Sequence, residues 1–178
     1  MLRRLTPLLA AGLAFIAGLA GAQTPLTENQ ARASFVLNFA RYIEWPATSF
    51  ASREAPLVIC MLGSDSRGLS LTEIAGRRIG DHPVESRKIE RASASEGCHV
   101  VYLADSDERR LAFNLQALAA RPVLTVSDIE GFIDAGGMIG LLRTSERLQF
   151  EINRDALQVA GLRASANLLR LARNLAGR

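Results

Sequence analysis

The chain has 178 residues, of which 48% are hydrophobic and 22% are charged, with 21 Lys and Arg against 18 Asp and Glu. This length is typical of one domain that buries a substantial core. A formal charge of +3 gives no reason to expect the concentrated basic face that nucleic-acid binding needs, so we exclude that class.

The first residues have the pattern of a secretory signal peptide. Two arginines precede an apolar run over 5–19, and the tripeptide AGA at 20–22 fits the small-residue cleavage site. We therefore predict that residues 1–22 are removed and that residues 23–178 form one mature exported domain. Removal of two of the 21 basic residues brings the mature chain close to neutrality, and no later apolar run approaches membrane-spanning length.

Helical and extended patterns alternate along the mature chain. Thr27 and Gln30 form a capping box that predicts a helix ending near Ile43. Later segments predict buried strands over 57–62, 98–104 and 122–126, an outer strand over 83–89, helices over 69–75 and 106–120, a hairpin of 138–142 and 148–152, and a terminal helix. This order predicts one α/β domain, a mixed sheet with buried central strands and a late antiparallel hairpin, flanked by helices.

The two cysteines, Cys60 and Cys98, are an even pair in a chain predicted to enter an oxidising compartment. Such a pair is read most simply as one structural disulfide, with a redox-sensing role as the alternative. In the chain-entropy model a bridge of this span stabilises the fold by roughly 3–4 kcal/mol. Metal binding is not indicated, because neither His82 nor His99 has a ligand spacing with a cysteine.

Polar residues follow three of the predicted strands. Ser64, Asp105 and Asp128 lie where the carboxyl ends of parallel strands would form a ligand-binding crevice. Converging carboxylates there can hold Mg²⁺ or act as an acid and a base, which is the chemistry of a metal-assisted hydrolase. The alternative is that these side chains cap the helices that follow, and no spacing supplies a nucleophile or a catalytic histidine. We therefore predict no catalytic residue and no cofactor.

The predicted terminal helix has a polar face that is a candidate for partner or ligand binding. Arg163, Asn167 and Arg170 have helical spacing, opposite a leucine stripe. A row of this kind can bind an acidic partner or an anionic ligand, and the alternative is a solvated surface. Trp45, the only tryptophan, is either an exposed partner anchor or a cover for the core, and we expect the second.

Several short motifs, taken together and in this spacing, resemble the YfiR-like family of periplasmic proteins. They are FVLNFARYIEWP, LVICMLG and CHVVYL in the first part, and LTVSDIEGF, AGGMIGL, FEIN, AGLRAS and LLRLA in the second. The resemblance covers the chain from about Phe35 to Leu175. It implies that Cys60 and Cys98 pair, while a second bridge found near the hairpin in some members has no cysteines here.

The resemblance also implies a function. It implies a non-enzymatic regulator that binds the periplasmic sensor part of an inner-membrane diguanylate cyclase and keeps cyclic-di-GMP synthesis low. An outer-membrane lipoprotein that removes the regulator from the cyclase, a homodimer and a small ligand are further implied partners. A periplasmic small-ligand binder that uses the crevice at Ser64, Asp105 and Asp128 remains as an alternative from a different class.

Overall fold

A central sheet of eight strands has helices on both of its faces, and a separate pair of short strands lies beside it. The structure is a computed structural model that describes residues 27–64, 69–144 and 147–177. The predicted signal peptide, residues 1–22, lies outside the described residues. The architecture confirms the predicted α/β class, with buried central strands, a late hairpin and flanking helices.

The α-helices are α1 (Glu28–Tyr42), α2 (Leu71–Ile74), α3 (Leu111–Leu118), α4 (Arg154–Val159) and α5 (Ala166–Leu171). The strands are β1 (Ile43–Glu44), β2 (Leu57–Leu62), β3 (Arg78–Ile79), β4 (His82–Ile89), β5 (Val100–Leu103), β6 (Leu124–Ser127), β7 (Ile139–Arg143), β8 (Leu148–Asn153), β9 (Arg163–Ala164) and β10 (Asn174–Ala176). Short 3-10 helices cover Ala47–Ser49, Ala92–Ala94 and Asp105–Arg110.

The strand order in the large sheet is β10-β8-β7-β6-β5-β2-β4-β3. The five strands β4, β2, β5, β6 and β7 run parallel, so their carboxyl ends share one edge of the sheet, called here the carboxyl edge. Strand β8 pairs with β7 antiparallel, which confirms the predicted hairpin, and β10 then pairs with β8 in parallel. The small sheet joins β1 to β9 antiparallel.

Helix α1 begins where the sequence predicts it. The Thr27 hydroxyl accepts from the backbone N–H of Gln30, and the Gln30 side chain accepts from the backbone N–H of Thr27, so the capping box is complete. The helix buries Val36 and Phe39 against the sheet, and the Phe39 ring packs on that of Phe150 with centroids 5.0 Å apart. A correctly capped helix start therefore positions the largest apolar helix of the fold.

Two cores lie on the two faces of the sheet. The first core lies under α1, α2 and α5 and contains Phe39, Tyr102 and Ile152. The second core lies under α3 and contains Leu115 and Phe132 together with the cysteines. Burial of a large apolar side chain stabilises a fold by roughly 1.5–3 kcal/mol, so both cores contribute substantially.

The predicted disulfide is present. It joins Cys60 of β2 to Cys98, and His99 alone lies between Cys98 and the start of β5. The Cα atoms lie 5.9 Å apart and both side chains are buried. The bridge therefore ties two neighbouring central strands together inside the second core.

The glycine pair before β7 allows a close approach of the backbone to a buried ring. A side chain at Gly137 would overlap the ring of the buried Phe132, while Gly136 has a φ of +97°, where residues with a side chain are strained. The glycines in this turn are therefore explained by packing and backbone conformation.

The terminal helix is where the prediction is wrong. Helix α5 begins after Ser165, whose hydroxyl accepts from the N–H of Leu168, and it ends at Leu171. The backbone N–H of Arg173 donates to the carbonyl of Phe150, and the chain continues as β10 beside β8. Pairing with the sheet therefore replaces the helical turns that the leucine spacing predicts.

Three other predicted elements differ in extent. The second helix covers only Leu71–Ile74, and the third begins as a 3-10 helix at Asp105 before continuing as α3. The predicted outer strand is β4, which the two-residue β3 covers at the sheet edge. No helix within the described ranges is long and apolar enough to cross a bilayer.

Candidate functional site

The carboxyl edge brings together two of the three predicted crevice residues. Asp105 follows β5 and Asp128 follows β6, and both line a cavity of about 210 Å³. Ser64 does not line this cavity, because it is exposed and its backbone N–H donates to the Ser106 hydroxyl at 3.0 Å. The crevice thus exists, but it is small and Ser64 lies outside it.

Asp128 forms a partly buried ion pair and does not cap a helix. Its carboxylate accepts from Arg32 Nε at 2.9 Å and from the Tyr102 hydroxyl at 2.8 Å. Tyr102 is fully buried, and the side chains of Arg32 and Asp128 are 9% and 23% exposed, so solvent screens the pair only in part. The carboxylate that the sequence offered for catalysis therefore compensates the charge of a buried arginine.

The ion pair extends into a network of alternating charges. Glu28 accepts from Arg32 at 2.6 Å through one oxygen, and Arg143 of β7 lies 2.8 Å from the other. The chain of contacts runs from β7 through α1 to Asp128 and Tyr102, and it joins the first helix to three strands. Burial alone would lower the pKa of Arg32, but Asp128, Tyr102 and Glu28 outweigh it and raise that pKa above its ordinary value. Arg32 is therefore permanently charged.

The other polar residues of this edge have structural partners. The Ser127 hydroxyl donates to the Leu103 carbonyl at 2.7 Å and accepts from the Ile129 N–H, so it does cap the turn that follows β6. Asp107, which is 1% exposed, contacts Arg110 at 2.6 Å. No group of three or more metal-ligating side chains occurs in the part of the chain that the structure describes.

Sequence reasoning missed Arg32, although a signal for it was present. Arg32 shares one face of α1 with Val36 and Phe39 at spacings of four and seven residues. A charged residue on an apolar face needs a partner from another element, since an uncompensated buried charge costs several kcal/mol. That signal predicts an ion pair but does not name Asp128.

The predicted partner face at the end of the chain is not one helical face. Asn167 and Arg170 lie on α5, where the Arg170 guanidinium donates to the Asn167 side chain. Arg163 lies on β9 instead, opposite Glu44 of β1, and the extended backbone of Ala164 and Ser165 separates it from the helix. The three residues are exposed or near the surface, but the helical spacing that grouped them does not exist.

The two histidines form a stacked group at the opposite edge of the sheet. Phe50 lies between them, with ring centroids 4.0 Å from His82 and 4.3 Å from His99. His99 accepts from the Val58 N–H at Nδ1 and donates from Nε2 to the Ser49 carbonyl at 3.0 Å. These two bonds fix the neutral tautomer.

Phe50 belongs to the connection between β1 and β2, so the stack packs this connection against His82 and His99. Burial lowers the pKa of His99, and the nearby His82 lowers it further, against the opposing hydrogen bond to Ser49. Trp45 packs edge-on against Phe50 and His99 and contacts the first core, which places the tryptophan as a cover for the core.

The fold and the residues of its carboxyl edge define a class of protein. This is an α/β domain whose polar strand-end residues are joined in ion pairs and whose cysteines are joined in a disulfide. A family model described as YfiR/HmsC-like matches residues 29–173, which is most of the chain. The chain therefore belongs to the YfiR/HmsC-like family, which is periplasmic and regulatory rather than catalytic.

Proposed function

We propose that this protein is a periplasmic repressor that binds the sensor part of an inner-membrane diguanylate cyclase and keeps cyclic-di-GMP synthesis low. The observation that carries the proposal is the family match over residues 29–173. The buried Cys60–Cys98 disulfide fits an oxidising compartment, and the predicted signal peptide supplies the route to it.

The physical requirement for repression is unequal affinity for two states of the cyclase. A regulator shifts the cyclase toward its inactive state only by the difference between its binding free energies for the inactive and active states. A tenfold preference corresponds to about 1.4 kcal/mol, so a few well-placed contacts are sufficient.

The test is a measurement of cyclic-di-GMP in cells that lack the gene. We expect the level to rise on deletion and to return to the original value when the wild-type gene is restored. Unchanged cyclic-di-GMP in the deletion strain, with the cyclase present, would contradict the proposal.

The processing and the remaining partners belong to the same proposal. We infer a mature domain that begins at Gln23, and intact-mass measurement of the exported protein tests that start.

We also propose that an outer-membrane lipoprotein competes with the cyclase for the regulator, and that the regulator forms a homodimer. Competition in a binding assay tests the first, and light scattering of the purified protein tests the second.

A second candidate function is small-ligand binding at the carboxyl edge. It is favoured by the cavity of about 210 Å³ that Asp105, Asp128 and Arg143 line, since it offers both signs of charge. The volume is below the range of typical ligand pockets, so only a small polar molecule fits. A thermal-shift screen with amino acids, nucleotides and divalent ions tests this candidate. A shift that persists unchanged in Asp105→Asn would place the ligand elsewhere.

A further inference from the structure

A groove lies between the hairpin and the end of the chain, where α1, β8 and α5 meet. Phe35, Leu148, Phe150 and Leu171 line it, and its volume is about 420 Å³. Both charged side chains that line it are arginines, Arg147 and Arg173, and both are exposed. We call this feature, with the neighbouring Leu175, the C-terminal groove.

The last segment exposes two leucine side chains beside the groove. Leu171 is 71% exposed and Leu175 is 42% exposed. Leu175 lies opposite Ile152 in the parallel pairing of β10 with β8, and Ile152 belongs to the first core. Side chains at paired positions point to the same face of a sheet, so Leu175 faces the α1 side, where the groove lies.

The charged side chains that line the groove, among the residues that the structure describes, are both basic. Residues 156–178 contain four arginines and no acidic residue, although the whole chain is almost balanced. Among the four are Arg170 of α5 and the groove residue Arg173, and Arg147 adds a charge from the hairpin. An apolar surface bordered by one sign of charge selects a partner of the opposite sign and speeds its approach.

The concave shape of the groove favours a protein partner over a lipid surface. The apolar residues Phe35 and Phe150 line a concave cavity, and a flat bilayer cannot reach its floor. A side chain that protrudes from a protein segment can enter it, and aromatic and aliphatic side chains in such pockets contribute most of the affinity of protein interfaces.

We propose that the C-terminal groove is the surface that binds the cyclase, and that its occupant is an acidic segment of the cyclase's periplasmic sensor domain with an apolar side chain that enters the groove. This inference rests on the proposed function. The acidic residues pair with Arg147 and Arg173, and the apolar side chain packs between Leu171 and Phe150.

The test compares two exposed apolar residues on opposite faces of the molecule. Leu171→Glu places a negative charge in the groove, and Phe113→Glu, at a residue 70% exposed on α3, is the matched control. Each variant is expressed as the full chain in the deletion strain, with protein abundance measured, and is also purified for binding to the isolated sensor domain. We expect Leu171→Glu to leave cyclic-di-GMP at the deletion level and to weaken binding at least tenfold. Phe113→Glu should match the wild type.

A second pair of variants tests the charge. Arg173→Glu should weaken binding to the sensor domain and reduce its dependence on salt, because screening acts on the attraction that this variant removes. Arg109→Glu is the control, an exposed arginine of the 3-10 helix before α3. Full repression by both Leu171→Glu and Arg173→Glu would overturn the inference, as would equal loss in Phe113→Glu.

The outcomes separate this inference from the proposed function. If deletion does not raise cyclic-di-GMP, the proposed function fails and the inference fails with it. If the wild type restores repression and Leu171→Glu does so equally, only the inference fails. It also fails if Leu171→Glu abolishes binding to anionic vesicles or self-association while binding to the sensor domain is unchanged.

Discussion

The carboxyl edge and the C-terminal groove differ in what their arginines contact. At the carboxyl edge, Arg32 is buried and its partners Asp128 and Glu28 belong to the same domain. At the groove, Arg147 and Arg173 are exposed beside apolar side chains, and none of the described residues that line the cavity is acidic. The first arrangement stabilises the fold, whereas the second leaves its charges available to the acidic partner that we propose.

The difference shows that polar residues at the usual ligand-binding edge of an α/β sheet can be held by partners within the domain, while exposed apolar and charged side chains lie in another region. The strand ends carry most of the polar residues that suggest a site, but Asp128 and Ser127 are committed to internal hydrogen bonds. The less conspicuous end of the chain exposes Leu171 and carries an excess of one charge.

The largest expected effect is on the free energy of unfolding, and it comes from the disulfide in the second core. Replacing both cysteines, as Cys60→Ala with Cys98→Ala, removes a bridge between residues 38 apart in sequence. We expect the free energy of unfolding to fall by about 4 kcal/mol in the chain-entropy model. Urea unfolding monitored by circular dichroism measures it, and the wild type under reducing conditions is the matched comparison. A loss below about 1 kcal/mol would show that the bridge adds little to the closed interior.

The next effect tests whether the carboxyl edge is structural. Asp128→Ala leaves Arg32 buried with one fewer partner, and we expect a loss of about 3 kcal/mol in the free energy of unfolding. Asp134→Ala, at an exposed residue a few positions later, should change it by less than about 0.5 kcal/mol. Equal stability of the two variants would remove the contrast between this edge and the groove.

A smaller effect belongs to the histidine stack. At pH 7.5, His99→Gln should lower the free energy of unfolding by about 1–2 kcal/mol, because the ring makes two hydrogen bonds.

The pH dependence of that effect has a definite sign. Folding lowers the pKa of His99 below its ordinary value of 6.5, so the contribution of the neutral ring is complete above that pH. The contribution decreases as the pH falls through 6.5 toward the folded pKa. The difference between wild type and His99→Gln in urea unfolding should therefore narrow between pH 7.5 and pH 5, and a widening difference would contradict the assignment.

The smallest effect on stability is expected at the groove. Leu171→Glu and Arg173→Glu alter exposed side chains and should each change the free energy of unfolding by less than about 0.5 kcal/mol. Together with a loss of repression, such a result separates binding from folding. A loss of 2 kcal/mol or more in either variant would show that the groove is part of the packed interior.

Local patterns predicted much of the fold. The helix start at Thr27, the buried strand over 57–62 and the hairpin were confirmed, because capping boxes and hydrophobic periodicity act over a few residues. The pairing of Cys60 with Cys98 was confirmed because the chain offers no other pair.

Features that depend on distant residues were not predicted. The leucine spacing after Ser165 favours a longer helix, but pairing with β8 ends it at Leu171, and tertiary contacts of this kind override local propensity. The ion pair of Arg32 with Asp128 joins residues 96 apart in sequence, and the stack on Phe50 joins three separate segments. The candidate site was therefore predicted only by its strand-end aspartates.

The pairing of β1 with β9 sets an order of events during synthesis. Ile43 pairs with Ala164, and the Ser165 N–H donates to the Tyr42 carbonyl, so the segment that follows the first helix is held by residues that are made much later. A chain that is made from its amino end cannot pair β1 until residues 163–165 have been made, and contacts this distant slow the search for the native state. Premature termination before β9 would thus leave the start of the domain incomplete, and the nascent regulator would depend on protection from proteases until the final segment is in place.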